Sequence, residues 1–399
     1  MIESGRSMVL DKAMGEKGIS LLIDGLPLAP PLSGVGYYTH HLGRELEGHP
    51  SIQQVSYWGH LGVGSRADLD GEFSVLQSGR RRLSRYYGLL RAVRPGALFR
   101  QLQLRSSLAK HYLFHETNFV LRPYDGPSVT TIHDLSFRHF PQFHPPERVR
   151  HMEEGLPETV RRVRHVITVS EFVRRELIET LSLAPEMVTA IPLGVDPDFR
   201  PREQEDLLPR LGRYGLADRA FVLILGNFEP RKNIGRLVEA YERLPPSVGG
   251  GVVLAHAGPE GWQNRELLAR VERLESQGRF ARLGYVPRED LPLLVSAARV
   301  FAFPSIYEGF GLPPLEAMAS GVPVLASNRA SIPEVVGDAA LLVEPEDVDA
   351  MTQALERLLT DDALRHRLRA RGLERAARFT WAQTADRTVN VYRKVLDAL

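Results

Sequence analysis

Short apolar runs alternate with longer amphipathic stretches along most of the chain. Each run has the length and composition of a strand that is buried on both faces of a parallel sheet, and turn residues or helix-like patterns follow it. The predicted strands span residues 19–23, 129–132, 166–169, 221–225, 252–256, 300–303 and 322–326. The clearest predicted helices span residues 171–181, 233–244, 350–359 and 381–396. This alternation indicates an α/β protein with parallel sheets.

A polar stretch, residues 196–218, separates two such series and is interrupted by Pro197, Pro201 and Pro209. The chain has 399 residues, which is more than one domain usually holds. We therefore predict two doubly wound, Rossmann-like domains, residues 1–199 and 200–380. Ligands bind such sheets beyond the carboxyl ends of the strands, so two of these domains facing each other enclose a binding cleft.

The composition narrows the class of protein. Apolar residues make up 43% of the chain and charged residues 25%, which excludes a disordered, collagen-like or small disulfide-rich protein. No run of 18 apolar residues predicts a membrane-spanning helix, and the first 20 residues lack the apolar core of a signal peptide. The absence of cysteine excludes disulfides, thiolate-bound zinc and a thiol nucleophile. We expect a cytoplasmic enzyme.

The near-neutral charge, 50 basic against 49 acidic residues, conceals one strongly basic stretch. Nine basic residues and no acidic residue lie from Arg80 to Lys110, interleaved with leucine, tyrosine and phenylalanine. Such a stretch can lie on an anionic membrane surface or contact an anionic lipid-linked acceptor, bind nucleic-acid phosphate, or form a solvated helix face. We favour the membrane interpretation, which places the protein peripherally at the inner face of the membrane, and we expect no nucleic-acid partner.

The most informative segment, residues 300–326, reads VFAFPSIYEGFGLPPLEAMASGVPVLA. It predicts a strand, a glycine-containing loop and a short helix that begins with proline. Gly309 and Gly311 allow the loop backbone to approach a ligand, and the amides and dipole of the helix start suit a diphosphate. Glu308 and Glu316, eight positions apart, can accept hydrogen bonds from hydroxyls on two parts of one extended ligand. Taken singly, each carboxylate could equally be an ordinary loop or helix-start charge.

Two adjacent cations, Arg231 and Lys232, follow a predicted strand and precede a predicted helix. They are therefore expected at the carboxyl edge of a sheet, where fixed cations can stabilise the charge of a departing diphosphate. The helix dipole disfavours cations at a helix start, which argues against a merely solvated pair.

A glycine pair near the start of the chain allows two interpretations. Gly34 and Gly36 follow the first strand and open a helix, so they form either a plain turn or a glycine loop facing the cleft. They do not match a dinucleotide-binding fingerprint, because Thr39 stands where the third glycine belongs.

Three other polar residues at predicted strand ends are also ambiguous. His133 is either a structural histidine or a residue of the site. His115 is either structural or faces an acceptor, and Ser170 is either a helix N-cap or a cleft residue.

Together these segments resemble the retaining glycosyltransferases of family 4, whose E-x7-E region matches the segment with Glu308 and Glu316. The resemblance covers most of the chain and implies the GT-B fold, in which two Rossmann-like domains face a cleft. It further implies that the first domain lies on the acceptor side and is completed by the last helix, residues 381–399, while the second holds the nucleotide sugar. Other segments that carry the resemblance are residues 192–196 (PLGVD), 226–233 (GNFEPRKN), 283–286 (LGYV) and 379–381 (FTW).

The resemblance also implies roles for single residues. Arg231 and Lys232 would contact the donor diphosphate, Glu308 the transferred sugar, and Glu316 the ribose of the nucleotide. His133 would lie beside the donor sugar and, with Arg231, Lys232 and Glu308, complete the catalytic set. The remaining donor-binding positions are Gly34, Gly36, Val286, Gly309, Phe310, Gly311 and Leu312.

The implied reaction is front-face hexosyl transfer with retention, without a metal or another cofactor, after the two domains close around the donor. Residues 133–141 (HDLSFRHFP) resemble a branch rich in mannosyltransferases, so GDP-mannose is the first donor expected, before a rhamnose nucleotide and UDP-glucose. The acceptor would be a lipid-linked or oligosaccharide alcohol in the biosynthesis of a surface polysaccharide such as lipopolysaccharide.

Two other classes of function stay open. A nucleotide-sugar epimerase can share the same architecture, whereas a phosphorylase would need a lysine for pyridoxal phosphate, and residues 200–399 contain only Lys232 and Lys394. The second of these classes is a non-catalytic sugar-nucleotide-binding protein. The intact set of two cations and two carboxylates argues against it.

Overall fold

The computed structural model describes residues 18–60, 62–83, 111–259 and 265–399. The strands β1 to β13 are Ile19–Asp24, Ile52–Trp58, Val63–Gly64, Leu113–Glu116, Ser128–Ile132, His165–Thr168, Val188–Ala190, Ala220–Leu225, Val252–Ala257, Phe280–Gly284, Val300–Phe303, Val324–Ser327 and Ala340–Val343. The helices α1 to α15 are Gly34–Glu47, Arg66–Leu83, Ser136–His139, Pro146–Arg162, Glu171–Leu181, Gln204–Arg213, Ile234–Glu242, Pro246–Gly249, Arg265–Ser276, Leu291–Ala297, Leu312–Ala319, Ile332–Val336, Val348–Thr360, Asp362–Ala376 and Trp381–Asp397.

The strands form two sheets. The first has the order β3-β2-β1-β4-β5-β6-β7 and the second the order β10-β9-β8-β11-β12-β13. All neighbours are parallel except β3, which runs antiparallel to β2. In both sheets the first strand of the unit lies inside the sheet, and later strands are added first on one side of it and then on the other. This is the strand order of a doubly wound Rossmann sheet. The predicted α/β class with two such domains is confirmed.

All seven predicted strands are present, with ends that shift by at most two residues. The helix predicted at residues 171–181 is found without any shift, and the others differ by one or two residues at their ends. Most of the strands that the pattern missed are short or only partly buried, whereas β4 has four buried residues. β2, for example, is exposed over its first half and buried over its second, so it lacks a continuous apolar run.

The polar stretch that separates the two series is not simply a linker. It contains helix α6, which packs against α10 of the second sheet's layer. Asp290, beside the start of α10, accepts a hydrogen bond from the Tyr214 hydroxyl at 2.8 Å and pairs with Arg210 at 2.9 Å.

The chain crosses from the first domain to the second through this stretch, and it crosses back to the first domain near its end. Helix α15 packs against α1 of the first domain, and the hydroxyl of Thr384 donates to the carbonyl of Pro192 at 2.8 Å. Where the two crossings meet, the amide of Val195 donates to the carbonyl of Phe379 at 3.0 Å. Gly194 is required there, because a Cβ would overlap the backbone of Thr380 and Trp381.

Candidate active site

The loop between β11 and α11 brings Glu308 against the two cations that follow β8. Lys232 and Arg231 lie on a single 3-10 turn, Pro230–Lys232. Nζ of Lys232 is 2.6 Å from Oε1 of Glu308, and a terminal guanidinium nitrogen of Arg231 is 3.2 Å from Oε2. The same nitrogen of Arg231 donates to the carbonyl of Tyr307 at 2.8 Å. Three of the predicted site residues therefore form one cluster.

The cluster is electrostatically unusual because its three side chains are only 13–15% exposed. Burial alone would raise the pKa of Glu308, but the fields of Lys232 and Arg231 outweigh it and hold the pKa below its usual value. Glu308 is therefore ionised and pairs with both cations, and a second carboxylate, that of Glu229, lies 3.4 Å from a terminal nitrogen of Arg231. Nε of Arg231 is buried and has no hydrogen-bond partner within the described residues. Two adjacent cations of this kind can bind an anionic ligand in place of a carboxylate.

The glycines of the loop allow a close approach between the domains. A Cβ on Gly309 would overlap the carbonyl oxygen of His133, at the end of β5 in the first domain. Gly311 has φ of 112°, a conformation that other residues rarely adopt, and it is the N-cap of α11. The carboxyl ends of the two sheets thus meet at this loop.

The helix start supplies fewer amides than the sequence suggested. The helix begins at Leu312, and the next two residues, Pro313 and Pro314, have no N–H. The amide of Leu312 and those of the preceding loop are left as the donors that a phosphate could meet. The side chain of Phe310 is buried and packs edge-on against Phe379, with ring centroids 6.0 Å apart. Any contact of Phe310 with a bound nucleotide sugar therefore has to come from its backbone.

The second predicted carboxylate, Glu316, lies on α11 and is buried. A terminal nitrogen of Arg288 is 3.6 Å from its Oε1. Burial raises the pKa of Glu316 to about 7, although Arg288 acts in the opposite direction. Arg288 also pairs with Asp196 on the crossing segment, residues 191–203, which joins β7 to α6. Arg288 lies over the ring of Tyr37 on α1, 4.4 Å from its centroid. Glu316 is therefore linked through Arg288 to the first domain.

Sequence reasoning missed Arg288 and Tyr37 as parts of this arrangement. Asp196 stood in a motif that was noted, and Arg288 follows the nucleobase-side motif by two residues, which is the only signal available. Burial raises the pKa of Asp196, but bonds from His41, the amide of Asp198 and Arg288 outweigh it and keep Asp196 ionised.

His133 follows β5 and is half-buried at the same meeting point. Its Nε2 lies 2.9 Å from the carbonyl of Thr117, which can only accept, so Nε2 carries the proton and Nδ1 is an acceptor. Burial lowers the pKa of His133, which keeps the ring neutral. The neighbouring Asp134 accepts hydrogen bonds from the amide and hydroxyl of Ser136, so it orders the start of α3.

The ambiguous residues separate clearly. His115 is fully buried between Tyr392 and Thr131, at 2.7 and 2.8 Å, and burial lowers its pKa to about 3. It is a structural histidine. Ser170 has both roles, because its hydroxyl caps α5 through the amide of Val173 and donates to the carbonyl of Gly309 at 2.7 Å.

The remaining predicted positions lie near the sheet edges. Gly34 and Gly36 form the first turn of α1, capped by Ser33, rather than an extended loop. A side chain at Gly34 would meet open space, whereas one at Gly36 would meet the carbonyl of Pro27. Val286 is half-buried against the core, and its neighbour Tyr285 is 70% exposed.

A cavity of about 920 Å³ adjoins the Arg288 side of the site. It lies between α1, the crossing segment and the start of α15, and its lining includes Tyr37, His41, Arg44, Arg288 and Trp381. Neither Glu308 nor His133 lines it.

Other expectations concern metals and membranes. In the described ranges, no three His, Cys, Asp or Glu residues are grouped so that they could hold a metal ion. No helix in that part of the chain is long and apolar enough to cross a membrane. The basic stretch from Arg80 to Lys110 lies outside the described residues, except for helical backbone up to residue 83.

Comparison with known proteins identifies the family. The model for "Glycosyltransferase Family 4" matches residues 32–199, and that for "Glycosyl transferases group 1" matches residues 213–375. O-antigen chain mannosyltransferase B of Escherichia coli is 37% identical over 378 residues, which is 92% of this chain and 97% of that protein. The serotype-specific mannosyltransferase WbdA of Escherichia coli is 34% identical over 238 residues, 58% of this chain and 29% of that protein.

Solved structures agree on the fold. The crystal structure of Anabaena Alr3699/HepE in complex with UDP-glucose superimposes with a TM-score of 0.68 and 19% identity, covering 94% of this chain and 99% of that one. The glycosyltransferase WaaG, involved in lipopolysaccharide biosynthesis, gives a TM-score of 0.65 and 16% identity, covering 94% and 99%. Together with the two matched domains, these results show that the chain belongs to the family 4 glycosyltransferases and has the GT-B fold.

Proposed function

We propose that this glycosyltransferase transfers mannose from GDP-mannose, with retention, to a lipid-linked or oligosaccharide acceptor during the assembly of a surface polysaccharide. The observation that carries the transfer chemistry is the contact of Arg231 and Lys232 with Glu308 where the two sheets meet. The choice of mannose is supported by the 37% identity to an O-antigen chain mannosyltransferase over nearly the whole of both chains.

The second domain would hold the donor. A diphosphate would compete with Glu308 for Arg231 and Lys232, because it carries more negative charge and can accept several hydrogen bonds. The oxygens of Glu308 would then be free to accept hydrogen bonds from hydroxyls of the transferred sugar. On the nucleoside side, the carboxylate of Glu316 would accept hydrogen bonds from the two ribose hydroxyls.

The first domain would present the acceptor to the same point. Its hydroxyl oxygen forms a bond to the anomeric carbon while the bond from that carbon to the phosphate oxygen breaks. The hydroxyl proton passes to the departing phosphate, and Arg231 and Lys232 stabilise the charge that grows there. The neutral ring of His133, with Nδ1 as an acceptor, would orient a sugar hydroxyl and stabilise positive character on the sugar ring rather than act as an essential base.

Two further parts of the proposal concern cofactors and location. The fixed cations take the part that a metal ion plays in other diphosphate sites, so the reaction would need no metal. The basic stretch from Arg80 to Lys110 would hold the enzyme at an anionic membrane surface, where a lipid-linked acceptor is found.

A donor panel tests the proposal. The purified protein is incubated with GDP-mannose, UDP-glucose or dTDP-rhamnose and oligosaccharide acceptors, and release of the nucleoside diphosphate is measured. In parallel, thermal stabilisation by GDP, UDP and dTDP is compared. We expect turnover with GDP-mannose and the largest stabilisation with GDP. Absence of turnover and of stabilisation with every nucleotide would refute the transferase assignment of the site, and preference for UDP or dTDP would refute only the donor.

A further inference from the structure

Tyr307, the residue before Glu308, reaches from the second domain into the first. Its hydroxyl donates to Oε2 of Glu176 on α5 at 2.6 Å and accepts from the amide of Leu135 at 2.9 Å. The side chain is 6% exposed, so these bonds are shielded from water. The ring packs against rings of the first domain, with centroids 5.2 to 5.8 Å apart: those of His139, Phe140 and Phe172.

The bonds of this hydroxyl are well defined chemically. Burial raises the pKa of Tyr307, and the negative charges of Asp134 and Glu176 raise it further, so the hydroxyl keeps its proton and donates. Glu176 is in turn fixed on its other oxygen, because Nε2 of His139 lies 2.7 Å from Oε1. One hydroxyl thus joins two separate segments of the first domain, α5 and the turn after β5.

Two more contacts between the domains surround the start of α5. The hydroxyl of Ser170, its N-cap, donates to the carbonyl of Gly309. The carboxylate of Glu334, on α12 of the second domain, accepts from the amides of Glu171 and Phe172 at 2.8 and 3.1 Å. Orphan amides at a helix start favour such a carboxylate. The start of α5 is therefore a contact site for the second domain.

This contact between the domains is adjacent in the chain to the residues that hold the proposed donor-binding cations. The carbonyl of Tyr307 accepts from Arg231, and the next residue, Glu308, pairs with Arg231 and Lys232. On the basis of the proposed function, we propose that Tyr307 is a positioning residue: its hydroxyl locks the Glu308 loop on the first domain in the closed cleft. The hydroxyl holds the loop that carries Glu308 against the backbone of His133, where the sugar would be transferred, and is not required for binding the nucleotide.

The substitution Tyr307→Phe tests this role, because it keeps the ring contacts and removes both hydroxyl bonds. We expect kcat to fall at least about tenfold, since a site that closes imprecisely loses transition-state contacts. The Kd for GDP should change less than about twofold, because the nucleotide contacts lie in the second domain. In small-angle scattering with GDP present, Tyr307→Phe should have a larger radius of gyration than the wild type, because its cleft closes less completely.

Two matched variants separate the hydroxyl's role from general damage. Tyr214→Phe also removes a tyrosine hydroxyl bonded to a carboxylate, Asp290, but within the second domain, so kcat should stay at the wild-type value. Glu176→Gln keeps an acceptor oxygen for Tyr307 and loses the charge that faces His139, so it should retain more activity than Tyr307→Phe.

Either of two results would overturn the inference: Tyr307→Phe with wild-type kcat, or a loss of GDP affinity that accounts for the whole loss of activity. If the wild type transfers no sugar from any nucleotide, the proposed function fails on its own. The scattering comparison still decides the positioning role in that case, because an equal radius of gyration in both proteins contradicts it.

Discussion

Nζ of Lys232 lies 2.6 Å from Oε1 of Glu308, and neither side chain is more than 15% exposed. A charge pair in such surroundings is costly to dismantle, because the remaining partner stays desolvated without compensation. A diphosphate can take the place of Glu308 without leaving either cation unpaired. In the proposed mechanism the pair would therefore link donor binding to the release of a carboxylate beside the transferred sugar.

Replacing Lys232 by methionine should slow transfer more than it weakens binding. In the proposed mechanism this cation faces the growing charge on the leaving diphosphate, so we expect kcat to fall by about 10² to 10³. GDP affinity should fall less, because Arg231 and Glu316 remain. Steady-state kinetics and calorimetry check this. Lys394→Met is the control, since that Nζ bonds an exposed carbonyl of Glu186 and its loss should leave kcat unchanged. Wild-type kcat in Lys232→Met would contradict the assigned role.

The affinity for GDP should depend on pH through Glu316. The pKa of Glu316 is raised to about 7 by burial, against the attraction of Arg288, and Asp196 raises it further. Only the ionised carboxylate accepts hydrogen bonds from both ribose hydroxyls, so the Kd should be lowest above about pH 7 and rise as the pH falls below it. Calorimetry across this range measures the slope. Glu316→Gln should bind more weakly and with a flatter profile, and the same slope in that variant would assign the titration to another group.

Gly309→Ala should impair transfer without unfolding the protein. The added Cβ would overlap the carbonyl of His133, and opening the cleft relieves that clash more easily than a change within either domain. We expect a strong loss of kcat and a melting temperature within a few degrees of the wild type. Gly212→Ala, on α6 with no atom within 4 Å of the new Cβ, is the control and should leave kcat unchanged. A large loss of stability in Gly309→Ala would show instead that the loop is part of the folding core.

Removal of divalent metal should not affect the reaction. In the proposed mechanism Arg231 and Lys232 provide the fixed charge for the diphosphate, so initial rates in excess EDTA should stay within about twofold of those in magnesium. The assay is the same release of nucleoside diphosphate. Loss of activity that Mg²⁺ or Mn²⁺ restores would contradict this expectation.

The sequence was most informative where a strand is buried on both faces. Val300–Phe303 and its glycine loop could be placed because a continuous apolar run and Pro–Gly signals leave little choice. β2 was missed because its outer half is exposed and reads as polar. Arg231 and Lys232 were predicted at the carboxyl edge of a sheet from the strand that precedes them, and Glu308 on the loop after β11, but the contact between them was not predicted.

Contacts across the cleft could not be read from the sequence. Tyr307 and Glu176 are 131 positions apart, and Arg288 and Asp196 are 92 positions apart. Neither pair lies at a spacing that any local periodicity relates. The helix start was predicted, but Pro313 and Pro314 leave it with fewer amides than a helix start usually has. The role of His115 could not be predicted either, because a histidine at a strand end has the same sequence pattern whether it faces the core or a cleft.

The most direct test of the account is the configuration of the product formed from GDP-mannose. NMR of the purified product, from wild type and from Lys232→Met, reports the anomeric configuration through the one-bond coupling between C1 and H1, while GDP release gives the rate. We predict an α-linked mannoside from the α-configured donor, faster turnover than with UDP-glucose, and strongly reduced product in the variant. A β-linked product, or transfer that does not depend on Lys232, would contradict it.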